Sequence, residues 1–144
     1  HSSLSAINAY DGDKEINLIF HDAVRPLVND RIISDCIAAL DKYKAVDVAI
    51  KTTDTIIKVN EDEYITGIPA RDYLRNGQTP QAFKLSTIKQ AYKLALCDPD
   101  FKTTDDCGVV YKYMPNELVY VVKGEQFNIH LVVQKMEWMF LIIY

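Results

Sequence analysis

His21-Asp22-Ala23-Val24-Arg25-Pro26, together with the apolar run Ile16-Asn17-Leu18-Ile19-Phe20 that precedes it, decides how the chain is read. The run is rich in strand formers and bounded by polar residues, the pattern of a parallel strand buried on both faces. A carboxylate and a guanidinium just past the carboxyl end of such a strand stand where open α/β sheets bind ligands. Pro26 fixes its own φ and restricts Arg25, so the turn is stiff. Taken alone, the motif is equally well described as an Asp–Arg ion pair in a surface loop, worth little energy.

Working outward, Asn29 or Asp30 caps a predicted helix to about Tyr43, with Ile32, Ile33, Cys36, Ile37, Leu40 and Tyr43 on one face. Val46–Ile50 is a second short strand, which makes the region a βαβ unit. Asp54–Val59 and Tyr64–Ile68 are β-rich runs joined by four polar residues, a hairpin signal. Inserted in an α/β pattern, such a hairpin (residues 52–72) projects as an arm, and its apolar side chains call for a partner surface such as a second subunit. Pro69 to Lys84 reads as an irregular connector. Ser86 starts a helix to about Leu96, and Thr104-Asp105-Asp106 starts another, with Thr104 as N-cap and free N–H groups suited to an anion. Leu118–Val122 is a third strand of parallel type and Phe127–Val133 a fourth extended run. The opening, Ser2 to Ala9, reads as the last turns of a helix.

The composition bounds the function. A chain of 144 residues with 49% hydrophobic content is expected to form one domain with a real core. A net charge of −4 and the lack of any Lys/Arg cluster argue against a nucleic-acid binder. Three separated cysteines, Cys36, Cys97 and Cys107, form neither a zinc pattern nor a disulfide framework and fit a reducing cytoplasm. The apolar tail from Met136 to Tyr144 is too short to span a bilayer.

Several ordered motifs together resemble one family. Ser3-Leu4, His21 to Pro26, Asp54-Thr55, Ala70-Arg71-Asp72, Gln78 to Phe83, Thr104 to Asp106 and Val122-Lys123-Gly124 leading into Asn128-Ile129 are similar to the later part of the cytidylyltransferases that make CDP-polyols. The resemblance runs from Ser3 to about Leu131 and implies a Rossmann-like α/β fold, mostly parallel, with a β-arm that embraces a second subunit in a homodimer. It implies transfer of CMP from CTP to a polyol phosphate, with pyrophosphate released and Mg²⁺ bridging phosphate oxygens. Within the family the texture leans towards ribitol 5-phosphate and CDP-ribitol, for capsule or teichoic-acid polymers. The alternative is 2-C-methyl-D-erythritol 4-phosphate, for isoprenoid precursors.

The resemblance also implies roles. Ser3 matches a position near the cytosine, Asp22 the carboxylate serving the metal and the cytidine end, and Arg25 a substrate-side arginine. Thr55 and Arg71 belong to the arm, with Arg71 reaching the polyol phosphate in a neighbouring subunit's site. Thr79 and Thr104 match hydroxyl donors to that phosphate. Without the resemblance, Ser3 reads as a helix-surface serine, Thr55 as a strand former, Arg71 as a surface arginine, Thr79 as a turn residue before Pro80, and Thr104 as a plain cap. Two departures stand out. The family's glycine-rich loop has no counterpart among the five glycines here, so the chain reads as a carboxyl-terminal portion, expected to be inactive alone. The family's substrate-phosphate lysine is replaced by His130, shorter and mostly neutral at pH 7. The residues from Leu131 to Tyr144 follow no family pattern. A rival reading from another class is a non-catalytic dimerising module that keeps the arm.

Overall fold

The computed structural model describes residues 2–10, 12, 14–103, 105–131 and 139–143. A five-stranded mixed sheet carries the fold: β1 (Asn17–Asp22), β2 (Ala45–Lys51), β5 (Arg75–Lys84), β6 (Val119–Lys123) and β7 (Met139–Ile143), in the order β6-β2-β5-β1-β7. Two short strands, β3 (Lys58–Val59) and β4 (Ile65–Gly67), form a separate antiparallel pair. The helices are α1 (Ser2–Ala9), α2 (Asp30–Ala39), α3 (Leu85–Ala95) and α4 (Asp106–Tyr113).

Alternation along the strands sorts the core into two layers. Leu18 and Phe20 of β1, Ala45 of β2 and Phe83 of β5 meet Ile7 of α1, Ile88, Ala91 and Tyr92 of α3, and Val109 and Val110 of α4. Ile19, Val46, Val48, Ala82 and Val122 face the other way, onto Ile32, Cys36 and Leu40 of α2. Cys36 is therefore packing, as its helical position predicts. Asn29 caps α2, its side chain accepting the Ile32 N–H at 3.0 Å.

Four expectations need correction. The β1 run is buried on both faces, but both of its neighbours, β5 and β7, run antiparallel to it. An apolar run reports coverage of the two faces and says nothing of strand direction. The parallel pair is β2 with β6, while β1 and β2 share a direction with β5 between them. Second, the supposed connector before Lys84 contains β5, the middle strand of the sheet. Its Pro80 would argue against a central strand, but Pro80 falls where the pairing is irregular. The β2 register shifts between Val46 and Val48, and the β1 ladder stops at the Phe20–Gln81 pair. Third, β1 extends to Asp22, so Asp22 ends the strand rather than following it. Fourth, no strand forms among the described residues of the run from Phe127.

Candidate functional site

The interruption at Pro80 opens the sheet, and polar side chains take over where the ladder stops. The Asp22 N–H donates to Thr79 Oγ1 at 3.0 Å, in place of a backbone acceptor. The Thr79 hydroxyl lies 3.1 Å from His21 Nδ1, and His21 Nε2 lies 2.8 Å from the Arg25 carbonyl. A carbonyl only accepts, so Nε2 carries the ring proton, and Nδ1 accepts the Thr79 hydroxyl proton. Burial pushes the His21 imidazole below its usual value, which keeps it neutral. Thr79, expected as a donor to phosphate, thus gives its proton to His21.

Arg25 is set by three elements. A turn returns its N–H to the Asp22 carbonyl at 3.0 Å. Its Nε stands 3.5 Å from Asp22 Oδ2, and its Nη1 donates to the Asn128 carbonyl at 2.9 Å. The Arg25 side chain is 14% exposed and that of Asp22 40%, so the carboxylate is the more open partner. The fully buried Asn128 donates Nδ2–H to the Thr79 carbonyl at 2.7 Å, and Gln78 Nε2 donates to the carbonyls of Glu125 and Asn128. Gln78 needs Gly124 beside it, because a Cβ there would lie 2.1 Å from Gln78 Oε1. The Leu131 N–H donates to the Val24 carbonyl at 2.8 Å, which seats the 128–131 segment against the Asp22–Arg25 turn.

A cavity of about 350 Å³ opens beside this network, lined by Asp22, Arg25, Gln78, Thr79 and Gln81 on the sheet side. Ser3 of α1, Tyr92 of α3, and Asp105 and Asp106 at the start of α4 complete it. The N-cap of α4 is Asp105, whose Oδ1 accepts the Gly108 N–H; Thr104, expected as the cap, lies outside the described residues. Gln81 Oε1 accepts both the Asp106 and Cys107 N–H groups at 3.2 Å. The first three N–H groups of α4 are therefore taken within the chain, so the free anion site expected there does not form. Gln81 Nε2 in turn donates to Asp47 and Asp105. Burial raises the carboxyls of Asp47 and Asp106 above the usual range.

Ser3, Asp22, Arg25 and Thr79 are thus brought together. Thr55 and Arg71 are exposed and away from the cavity, Arg71 Nη1 donating to the Thr53 carbonyl at the base of the arm. His130 is exposed and does not line the cavity. Gln78, Gln81, Tyr92, Asp106 and Asn128 carry the site's hydrogen bonds and were given no role from sequence. The signal was present in the two glutamines flanking Thr79-Pro80, polar residues too numerous for an ordinary buried strand. No group of three or more His, Cys, Asp or Glu that could hold a metal occurs among the described residues, and no helix among them is long and apolar enough to cross a membrane.

The family profile described as IspD, 2-C-methyl-D-erythritol 4-phosphate cytidylyltransferase, matches residues 1–137. The chain is 52% identical over 132 residues to the bifunctional ribulose 5-phosphate reductase/CDP-ribitol pyrophosphorylase of Haemophilus influenzae, covering 90% of this chain and 28% of that protein. It is 46% identical over 133 residues to the 2-C-methyl-D-erythritol 4-phosphate cytidylyltransferase of Thermobifida fusca, covering 89% of this chain and 53% of the relative. The crystal structure of the 4-diphosphocytidyl-2C-methyl-D-erythritol synthase of Anaerococcus prevotii superposes with a TM-score of 0.83 at 38% identity, over 92% of this chain and 60% of that one. The Francisella tularensis cytidylyltransferase gives 0.79 at 26%, over 92% and 62%. The chain thus spans about half or less of the curated relatives' length. With its mixed sheet, its cleft at the end of β1 and a match along nearly all its residues, it belongs to the 2-C-methyl-D-erythritol 4-phosphate cytidylyltransferase family.

Proposed function

We propose that this chain supplies one side of a site that transfers CMP from CTP to a polyol phosphate, with ribitol 5-phosphate the favoured acceptor. The observation that carries the reading is Arg25, a cation held nearly buried by the Asn128 carbonyl and beside the more open Asp22, on the lining of a cleft. Catalysis of this kind needs position and charge more than covalent chemistry: the acceptor phosphate attacks the α-phosphate in line, and pyrophosphate leaves. Arg25 orients anionic oxygens. His21 and Asn128 fix the turn that aims it. The greater identity to a CDP-ribitol pyrophosphorylase, 52% against 46%, supports ribitol 5-phosphate over 2-C-methyl-D-erythritol 4-phosphate.

Mg²⁺ usually takes one or two protein carboxylates and completes its shell with phosphate and water. Asp22 fits that demand, being 40% exposed, whereas both Asp106 oxygens and both Asp105 oxygens accept hydrogen bonds within the chain. A bound Mg²⁺ would neutralise phosphate charge there.

The arm favours a second copy of this chain as partner. Ile57, Val59, Tyr64, Ile65 and Ile68 are 43–71% exposed, an apolar surface that association would cover. In such a homodimer Thr55 and Arg71 serve the partner's cleft. Because the family's glycine-rich loop is not among these residues, the 144-residue chain alone turns over CTP poorly and acts chiefly as the dimerising part. The test joins the chain to the family's glycine-rich front portion and follows pyrophosphate release with CTP and each polyol phosphate. Faster turnover of ribitol 5-phosphate is expected. Equal rates with both acceptors would remove the preference, and none with either would overturn the activity. Robust turnover by the chain alone would overturn its dependence on that loop.

A further inference from the structure

Arg31 stands in the first turn of α2, where its charge gains little locally. A cation there opposes the helix dipole, and a basic residue four before an acidic one is the weaker order of such a pair. Yet its guanidinium is drawn away from the helix. Nη1 donates to Asp35 Oδ2 at 2.6 Å, while Nη2 donates to the Lys123 carbonyl at 3.0 Å and to Glu125 Oε1 at 2.8 Å. The last two bonds hold the start of a turn that closes when the Asn128 N–H meets the Glu125 carbonyl at 3.1 Å. The far end of that turn is the Asn128 carbonyl, which accepts from Arg25 Nη1. Arg25 and Arg31, one on either side of the short link into α2, therefore grip the same turn at its two ends. Gln78 of β5 ties the turn to the sheet, bonding the N–H and carbonyl of Glu125 and the carbonyl of Asn128. The Asn128 side chain adds only its bond to the Thr79 carbonyl, since its Oδ1 is buried without a partner among the described residues. On the α2 side the turn is held by Arg31 at its start, Arg25 at its end, and the Leu131–Val24 bond beyond.

We propose that Arg31 is a positioning residue for Arg25: by clamping Lys123 and Glu125 to the start of α2, it fixes where the Asn128 carbonyl stands and so where the Arg25 guanidinium is aimed. The inference rests on the role given to Arg25 above and extends it to a residue outside the cleft, for neither Arg31 nor Glu125 lines the cavity. The two side chains are 40% and 33% exposed, so water screens the pair and its share of overall stability is small. Alignment is the more sensitive quantity, because a charge-stabilising donor works only when it is held at the place where charge develops.

Native-state hydrogen exchange on the 144-residue chain tests the clamp without calling on turnover. In Arg31→Ala the amides of Asn128 and Arg25, which bond the Glu125 and Asp22 carbonyls, are expected to exchange faster. The expected change is about tenfold, the scale of one hydrogen bond. The amides of Leu18, Ile19 and Phe20 in β1 should keep their wild-type rates. Equal acceleration of both groups would mean a general loosening, and no acceleration would mean no clamp; either result overturns the proposal. Asp35→Asn, which spares both bonds to the turn, should leave the rates unchanged, and an effect equal to that of Arg31→Ala would overturn it too. In the joined protein, Arg31→Ala should lower kcat about tenfold while KM for CTP stays within about twofold, the mark of an interaction felt in the transition state. Arg31→Lys, which keeps the charge and loses the planar fork, should recover part of the loss. With Arg25 already replaced by Ala, removing Arg31 should cost less than about twofold more, because the clamp then has nothing to aim. A further full tenfold loss would overturn the proposal. A joined protein without turnover would sink the CTP reading, and hydrogen exchange would still decide the clamp.

Discussion

The cleft and the arm are built on opposite plans. Around the cleft most polar side chains are committed within the chain: Gln81 to α4 and Asp47, Gln78 to the 125–128 segment, Thr79 to His21, Asn128 to the Thr79 carbonyl, and Arg25 to the Asn128 carbonyl. The arm is a two-residue strand paired with a three-residue one, with large apolar side chains in water and Asn60 closing the turn by accepting the Asp62 and Tyr64 N–H groups. A site that must aim charge is held rigid from within. The hairpin's apolar side chains are left uncovered by their own chain.

Breaking the cleft side of this contrast should give the largest effect. Arg25→Ala in the joined protein is expected to lower kcat/KM for CDP-polyol formation by about 10²–10³-fold, the usual loss when one charge-stabilising donor is removed. Steady-state kinetics checks it, and a change under threefold would count against a role for Arg25. Next comes Gln81→Ala, which strands the Asp106 and Cys107 N–H groups and removes a donor from Asp47. It should cost about 2–3 kcal/mol in urea unfolding. Gly124→Ala should cost about 1–3 kcal/mol, because the new methyl displaces the buried Gln78 amide.

The pH dependence sharpens the same contrast. The folded His21 ring resists protonation, while the unfolded ring titrates near 6.5. Its contribution to stability is therefore complete above about pH 6.5 and is lost as the pH falls below it. Asp47 and Asp106 act with the opposite sign, since their folded carboxyls hold protons more readily than the unfolded value of 3.8. They offset part of the loss at lower pH. Replacing His21 with Gln should flatten the decline below pH 6.5 in denaturation curves taken across the range. On the arm, Ile65→Ser should change monomer stability by less than about 0.5 kcal/mol while weakening self-association measured by sedimentation. A large destabilisation of the monomer would show that the arm packs on its own chain.

Much of this plan was legible in the residues. Periodicity placed α2 and α3, and the hairpin signal placed the arm. The ordered motifs located Ser3, Asp22, Arg25 and Thr79 on one cleft. What escaped did so for identifiable reasons. β5 was missed because its polar glutamines and Pro80 mimic a loop. The glutamines are satisfied by Asp47, α4 and the 125–128 segment, partners remote in sequence. The direction of β1 was missed because burial on both faces has the same pattern whichever way the neighbours run. The N–H groups of α4 were expected to be free because no local sequence reveals that Gln81, on another element, already occupies them.

The position of β1 has a consequence for synthesis. Its two ladders are made with β5 and β7, and both are translated after it. Leu18, Ile19 and Phe20 therefore precede both of these ladder partners in translation, and the β1–β7 ladder pairs residues far apart in sequence. Until β5 arrives, the edge of β1 that β5 will cover lacks that ladder and is open to other chains. The folded protein conceals that interval, and slower translation ahead of β5 would lengthen it.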